Sequence, residues 1–312
     1  MPTGPLSRRD HNGWVTSPSP DLGLLLDVDG PIASPVTRSI AIPSIASDLV
    51  ALANAGVPLV FNTGRSDEFL RGEVVDPLVA GGLQPEARVF GVCEKGAVWF
   101  RITPDGVGDL SIDESLLVPS ELRRGVEQLV EEHFAESMFF DRTKRTMISV
   151  EQRTDVDSAD YLAIQPRFDR AVLDLCRTLD LGAVWRSERQ PASDGSVPFR
   201  LDPSIISTDI ESVRVGKDLG AERAVELVAA LGAVPRRWRT VGDSRSDYAM
   251  ADWMHEQRYD VAHVDVRPAE GVPEKPYAVL VAAPEQINDA AGAVFLRRWA
   301  AEVIDGVVSV VA

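Results

Sequence analysis

Cysteine is nearly absent from this chain: Cys93 and Cys176 are the only two in 312 residues. Two isolated cysteines exclude a disulfide framework, and neither stands at zinc-ligand spacing. A reducing, cytoplasmic setting is therefore expected. Lysine is scarce too. Only Lys95, Lys144, Lys217 and Lys275 occur among 32 basic residues, so a lysine at a motif position says more than usual. The four histidines (His11, His133, His255, His263) show no metal-binding spacing and are read as structural or exposed. No uncharged apolar run reaches the roughly 18 residues that a membrane helix requires, and no membrane partner is expected. Residues 1–20 are polar and rich in Pro and Ser, without the apolar core of a signal peptide. They read as a loose arm, with Trp14 a candidate for pinning it to the body. Acidic residues outnumber basic ones by 48 to 32, a net charge of −16, which argues against a nucleic-acid partner. A Gly-x-Ser-x-Gly elbow, a Walker loop and a Gly-x-Gly-x-x-Gly turn are all missing.

What the chain does have is four short stretches placed where a strand ends or a helix begins. The first is Leu24-Leu25-Leu26-Asp27-Val28-Asp29-Gly30. It reads as a buried strand delivering two carboxylates to its C-terminal tip, where ligands bind in open α/β sheets. Two such carboxylates can hold a hard cation, and one can act as nucleophile while the other moves a proton. Taken alone, Asp-x-Asp-Gly fits a plain turn equally well. The second stretch, residues 57–65, ends in Asn62-Thr63-Gly64-Arg65. Thr63 can donate to a phosphate oxygen, and Gly64 permits close backbone approach; an ordinary capped turn is the alternative. The third is Lys217 ahead of a helical run, where a compact ammonium suits a phosphate or a carboxylate. The fourth is Gly242-Asp243-Ser244-Arg245-Ser246-Asp247. Its acids, four apart at a helix start, lie on one side. Asp243 can ligate a cation and Asp247, with Ser244, can brace the loop, although helix capping explains the same residues.

Together the four stretches resemble the motifs of the haloacid-dehalogenase (HAD) superfamily of phosphohydrolases: Asp-x-Asp-Gly, a strand-end Thr, a Lys, and Gly-Asp-x-x-x-Asp. The intervals narrow the resemblance. Asp27 and Thr63 are 36 residues apart, whereas Thr63 and Lys217 are 154 apart. A large insertion at that point resembles the type IIB caps of the Cof-type and sucrose-phosphatase-like branch, and residues 91–100 look like the segment leading into such a cap. The resemblance implies an α/β fold: a Rossmann-like, doubly wound parallel sheet core with an inserted α+β cap domain. The core would comprise residues 21–93 and 204–312, and the cap 94–203. Four places depart from the pattern. Pro31 replaces the usual Thr and removes one loop N–H. Ser246 stands for Asn, Lys95 stands for Asn at the cap entrance, and residues 261–267 lack the usual small side chains.

Along the chain, core strands are expected at 22–28, 57–61, 88–92, 238–241, 261–266 and 278–282. Helices are expected at 42–55, 67–79, 221–231, 246–255 and 285–303. Within the cap, apolar spacing predicts strands at 98–102, 146–151 and 197–201 and helices at 119–134 and 159–179.

The resemblance also implies a mechanism. Asp27 would attack phosphorus and form an aspartyl-phosphate, while Asp29 would protonate the leaving alcohol and then activate water. Mg2+ would be held by Asp27, Asp243 and the backbone carbonyl of Asp29. Thr63 and Lys217 would stabilise the phosphoryl oxygens. Gly30, Asn62, Gly64, Arg65, Glu94 and Lys95 are the expected substrate-binding residues. Arg142, Lys144, Arg145, Arg153 and Arg200, in the expected cap, are further candidates for gripping a sugar hydroxyl, a carboxylate or a second phosphate, with a solvated charged face as the plainer alternative. The expected substrate is a small phosphorylated metabolite, a sugar or sugar-acid phosphate, turned over by a monomer or homodimer. A phosphomutase and a non-catalytic sugar-phosphate-binding protein are the alternatives.

Overall fold

A computed structural model describes residues 20–306. The arm expected over residues 1–20, Trp14 included, lies outside the described residues but for Pro20. In chain order the strands are β1 (Leu22–Leu26), β2 (Leu59–Asn62), β3 (Val89–Cys93), β4 (Val98–Thr103), β5 (Gly106–Val107), β6 (Ser111–Ile112), β7 (Met138–Phe140) and β8 (Ile148–Gln152). They continue with β9 (Ala183–Trp185), β10 (Glu188–Gln190), β11 (Phe199–Pro203), β12 (Ser207–Ser212), β13 (Arg237–Gly242), β14 (Asp260–Asp265) and β15 (Ala278–Leu280). The α-helices are α1 (Pro43–Asn54), α2 (Asp67–Leu70), α3 (Asp76–Ala80), α4 (Ser120–Leu129), α5 (Ser158–Thr178), α6 (Lys217–Leu231), α7 (Tyr248–Glu256) and α8 (Asp289–Ile304).

The apolar runs of β1 to β3, β13 and β14 pair in parallel, in the order β15-β14-β13-β1-β2-β3, and β4 then adds antiparallel. Every residue of β1 is buried, which a parallel sheet covered on both faces requires. Alternation along each strand sorts the side chains. Leu24 and Leu26 join Phe61, Ile45 and Trp299 beneath α1 and α8, whereas Leu25 joins Val60, Trp238, Ala224 and Met250 beneath α6 and α7. A one-residue slip would exchange the two sets, so the register is strongly specified. In that register Leu26 faces Phe61 on one side and Val241 on the other. The tips of β1, β2 and β13 therefore emerge side by side. This is a doubly wound α/β sheet.

A second sheet, in the order β10-β9-β11-β12-β8-β7, is covered on one face by α4 and α5. Ile148, Val150, Leu201 and Ile210 point to these helices, and Phe134 meets Phe168 edge-on at 5.3 Å. The alternate residues, Ser149, Glu151, Arg200, Asp202 and Asp209, line a cavity opposite the tips of the first sheet.

Two expectations about the insertion change. The strand expected at 98–102 within the cap pairs antiparallel with β3 in the large sheet. Its alternation, with Val98, Phe100 and Ile102 buried, announces a half-covered strand but cannot say which sheet supplies the partner. At the other end, β12 lies beyond the expected return at residue 204 and still pairs with β8 and β11 in the small sheet. Helix α6 begins at Lys217, one turn earlier than expected.

Candidate functional site

The backbone of Asp27 stays tied to β13, its N–H donating to the Val241 carbonyl (2.9 Å). The chain then turns through Gly30, whose φ of +94° and 2.8 Å clearance between an added Cβ and Asp243 Cβ admit only glycine. This close passage brings the tips of β1 and β13 together. Lys217 enters from the start of α6. Its Nζ donates to Asp27 Oδ1 (2.7 Å) and to the Asn62 carbonyl (2.8 Å), and lies 2.7 Å from Asp247 Oδ1. The Asn62 side chain returns a bond to the Lys217 carbonyl (2.9 Å), fixing the helix start on β2. Gly220, one turn on, makes room for that carboxamide: a Cβ there would overlap it. Gly220→Ala should therefore cost about 1–3 kcal/mol, read as a lowered midpoint of thermal unfolding; an unchanged midpoint would break this account of the helix anchor.

Beyond β13, Asp247 Oδ2 accepts from the N–H groups of Asp243 (3.2 Å) and Ser244 (3.0 Å) and from the Ser244 hydroxyl (2.7 Å). The reciprocal capping box explains why the two acids are four residues apart. Carboxylate oxygens of Asp27, Asp243 and Asp247 lie within 4.8 Å of one another. Their environments pull them apart electrostatically. Burial and the Asp247 charge push the Asp27 carboxyl well above the usual range. Burial and the same neighbour raise Asp243 to about 6. Burial alone would raise Asp247 as well, but the Lys217 ammonium outweighs it and holds Asp247 low. Burial would lower Lys217, yet Asp247 and Asp27 together drive it up, so it stays charged. One ammonium thus serves two carboxylates, with Asp243 beside them and Arg267 3.7 Å from its carboxylate. An all-oxygen cluster short of positive charge suits a hard divalent cation such as Mg2+.

The remaining expected residues divide. Thr63 is buried, and its hydroxyl accepts the Arg65 N–H (3.1 Å). Arg65 grips both oxygens of Asp29 through Nε and Nη2, each at 3.0 Å, a contact that spacing could not foretell. Asp27, Asp29, Gly30, Thr63, Gly64, Arg65, Lys95, Lys217, Asp243, Ser244 and Asp247 all line one cavity of about 600 Å³ between the two sheets. Asn62 and Glu94, expected to touch substrate, do not line it. Asn62 is fully buried under α6. The Glu94 carboxylate is spent on the 145–147 backbone, taking the N–H groups of Arg145 (2.7 Å), Thr146 (2.8 Å) and Met147 (3.2 Å). Lys95 faces the cavity but is held by Asp202 (2.9 Å), Asp209 (3.3 Å) and Glu211 (2.9 Å).

Of the five basic cap candidates, Lys144 and Arg200 line the cavity. Arg142 pairs with Glu127 and Glu131, Arg145 with Asp67, and Arg153 with Asp155. Sequence reasoning missed the cavity residues Ser149, Glu151, Asp202 and Asp209. Alternation along β8 and β12 could have nominated Ser149, Glu151 and Asp209 once Ile148, Val150 and Ile210 were assigned to the helix side.

No family model matches the chain, and no curated protein sequence matches it. Its fold is shared with solved structures. The C-terminal domain of the trehalose-6-phosphate phosphatase of C. albicans is similar with a TM-score of 0.61 and 14% identity, over 89% of this chain and 91% of that one. A haloacid dehalogenase-like hydrolase from Bacteroides thetaiotaomicron is similar with a TM-score of 0.56 and 10% identity, over 89% of this chain and 98% of that one. The likeness is one of fold, and the fold is of the haloacid-dehalogenase type.

Proposed function

We propose that this chain, with its haloacid-dehalogenase-type fold, is a Mg2+-dependent phosphatase of a small phosphomonoester, with a sugar phosphate as the substrate class. One observation carries the reading: Asp27, Lys217, Asp243 and Asp247 converge at adjoining strand tips under a polar cavity closed by a second sheet. The C. albicans neighbour named above is itself a phosphatase of a sugar phosphate, which agrees with the reading.

Asp27 supplies the nucleophile. Its carboxylate forms a bond to phosphorus as the ester P–O bond breaks, leaving an aspartyl-phosphate and an alcohol. Asp29 gives that alcohol its proton and then takes one from the water that cleaves the acyl-phosphate, releasing inorganic phosphate and restoring Asp27. Arg65 holds the Asp29 carboxylate in place, and one of its two contacts must give way while Asp29 carries the proton. The Thr63 hydroxyl faces the phosphoryl oxygens, and the Lys217 ammonium, whose N–H groups meet Asp27, the Asn62 carbonyl and Asp247, adds a fixed positive charge beside them. Asp27 and Asp243 would hold Mg2+, with Asp247 already engaged by Ser244 and Lys217. When bound, the cation offsets the repulsion between carboxylate and phosphate.

The test is phosphate release from a panel of sugar phosphates and p-nitrophenyl phosphate, with and without Mg2+. Metal-dependent release is expected; a folded protein that releases none would sink the reading, and isomer formation without release would identify a mutase.

The raised Asp243 carboxyl makes a pH prediction. Below about pH 6 a proton competes with the cation, so apparent Mg2+ affinity should fall by about tenfold per pH unit. Linkage has the unusual sign here. The folded pKa of about 6 lies above the ordinary Asp value of about 3.9, so metal-free protein loses stability as pH rises through that window. Melting curves from pH 4 to 7 should show that loss as the difference between wild type and Asp243→Asn, and Mg2+ should reverse it.

A further inference from the structure

The turn after β14 carries an arginine to Asp243, and no step of the mechanism above uses it. Strands β13 and β14 pair in parallel with Gly242 opposite Asp265, so the chain leaves β14 beside Asp243. The backbone there is held from both sides: the Val266 N–H donates to the Gly242 carbonyl (3.0 Å), and the Val266 carbonyl accepts the Asn288 N–H (2.8 Å). Asp265, only 6% exposed, accepts from the Tyr248 hydroxyl (2.7 Å) and from the Arg267 N–H (2.9 Å). This fixed turn delivers the Arg267 side chain to the cavity wall.

Arg267 spends little of its charge on the protein. Its Nε donates to a neutral acceptor, the Asp243 carbonyl (3.1 Å), and stands 3.7 Å from Asp243 Oδ2, too far for a hydrogen bond. Among the described residues its two Nη groups have no hydrogen-bond partner. Arg65, Lys95, Arg200 and Lys217, on the same cavity, each stand within 3.0 Å of a carboxylate oxygen. A guanidinium is charged at every ordinary pH, and its planar fork matches two oxygens of a phosphate. Arg267 therefore presents an anchored, unspent fork beside a carboxylate that would hold Mg2+.

We propose that Arg267 is a phosphate-binding residue: its Nη fork takes the oxygens of the phosphoryl group, and of the inorganic phosphate left by hydrolysis, while its bond to the Asp243 carbonyl anchors it. The inference rests on the phosphatase reading and adds a residue to the same site. Two oxygens on one Mg2+, each about 2.1 Å from it, are no more than about 4 Å apart. A phosphate oxygen sharing a cation with Asp243 thus lies within reach of a guanidinium anchored 3.7 Å from that carboxylate. The two charges have opposite consequences. Towards a lone cation Arg267 is repulsive, and it partly neutralises the carboxylate the cation needs. Towards phosphate it is attractive. A mere brace for the turn after β13 would use Nε alone and would favour both ions alike.

Arg267→Gln separates the two roles. The glutamine amide nitrogen stands as many bonds from the backbone as arginine Nε, so the donor to the Asp243 carbonyl is kept while the fork and its charge are lost. The side chain is 42% exposed, so the change disturbs no core packing. Calorimetry measures Mg2+ binding alone, and then inorganic phosphate binding at saturating Mg2+. Arg267→Gln should bind Mg2+ several-fold more tightly than wild type and phosphate about ten- to a hundredfold more weakly, the range for a lost charged hydrogen bond. Arg267→Lys, which keeps the charge without the fork, should bind Mg2+ as wild type does and recover part of the phosphate affinity. Unchanged phosphate affinity in Arg267→Gln, weaker binding of both ions, or a wild type that binds no phosphate would overturn the proposal. Ester hydrolysis is scored separately. A wild type that binds phosphate but releases none from any ester sinks the phosphatase reading, and the binding data then decide the Arg267 assignment by themselves.

Discussion

Asp27→Asn should abolish phosphate release, lowering kcat by on the order of 10⁴-fold or more, the scale on which enzymes lose activity when a nucleophile is removed. The same change should leave the fold intact or slightly firmer. Burial and the charge of Asp247 already push the Asp27 carboxyl well above its usual range, so the ionised form is held at a cost. An amide of the same shape removes that cost, and its carbonyl can still accept from Lys217, which keeps Asp247 and the Asn62 carbonyl as partners. Stability traded for function at an active site is the general expectation. The paired measurement is single-turnover phosphate release beside thermal unfolding. Loss of activity together with a large fall in melting temperature would mean that Asp27 is a structural ion-pair partner and not the nucleophile.

Lys217→Met should be the most destabilising single change at the site. It leaves Asp27 and Asp247 buried together with no cation between them, and breaking a buried pair by deleting one partner costs about 3–5 kcal/mol. Turnover should fall by about 10²–10³-fold as the fixed positive charge beside the phosphoryl oxygens disappears. Lys217→Arg should rescue neither property well. Three acceptors surround one nitrogen here, and a planar fork cannot point all its charge at a single spot. Urea unfolding with and without Mg2+ adds a sharper check. The cation should narrow the gap between Lys217→Met and wild type, because it supplies charge to the same carboxylates. A gap that Mg2+ leaves unchanged would place the cation elsewhere.

The residues to which the proposed function assigns the chemistry were legible because each sits in a local pattern with a local cause. Leu24 to Leu26 must be a buried strand, so Asp27 must stand at its tip. The Asp247 carboxylate caps the turn that begins at Ser244, which is why its distance from Asp243 could be read in one dimension. The misplaced readings share the opposite property. Glu94 was expected to touch substrate and instead holds a loop more than fifty residues away in sequence. Asn62 was expected in the cavity and instead fixes a helix 155 residues on. The strand at Val98–Thr103 alternates correctly, yet nothing in its alternation tells an edge of one sheet from an edge of the other.

By itself, then, the sequence determined the buried core strands, the main helices and which polar side chains leave their ends, but not the short strands β5, β6, β7, β9, β10 and β12. Periodicity, proline and glycine geometry, and capping all act over a few residues. Only the tertiary structure decided how those side chains spend their charge. Asp29 is taken by Arg65, Lys217 is shared between Asp27 and Asp247, Lys95 is absorbed by three acids, and Lys144 is left facing the cavity. Each of those outcomes is a competition among groups brought within a few ångströms from distant parts of the chain. Electrostatic and hydrogen-bond energies depend on that final separation and on burial, neither of which a local pattern contains.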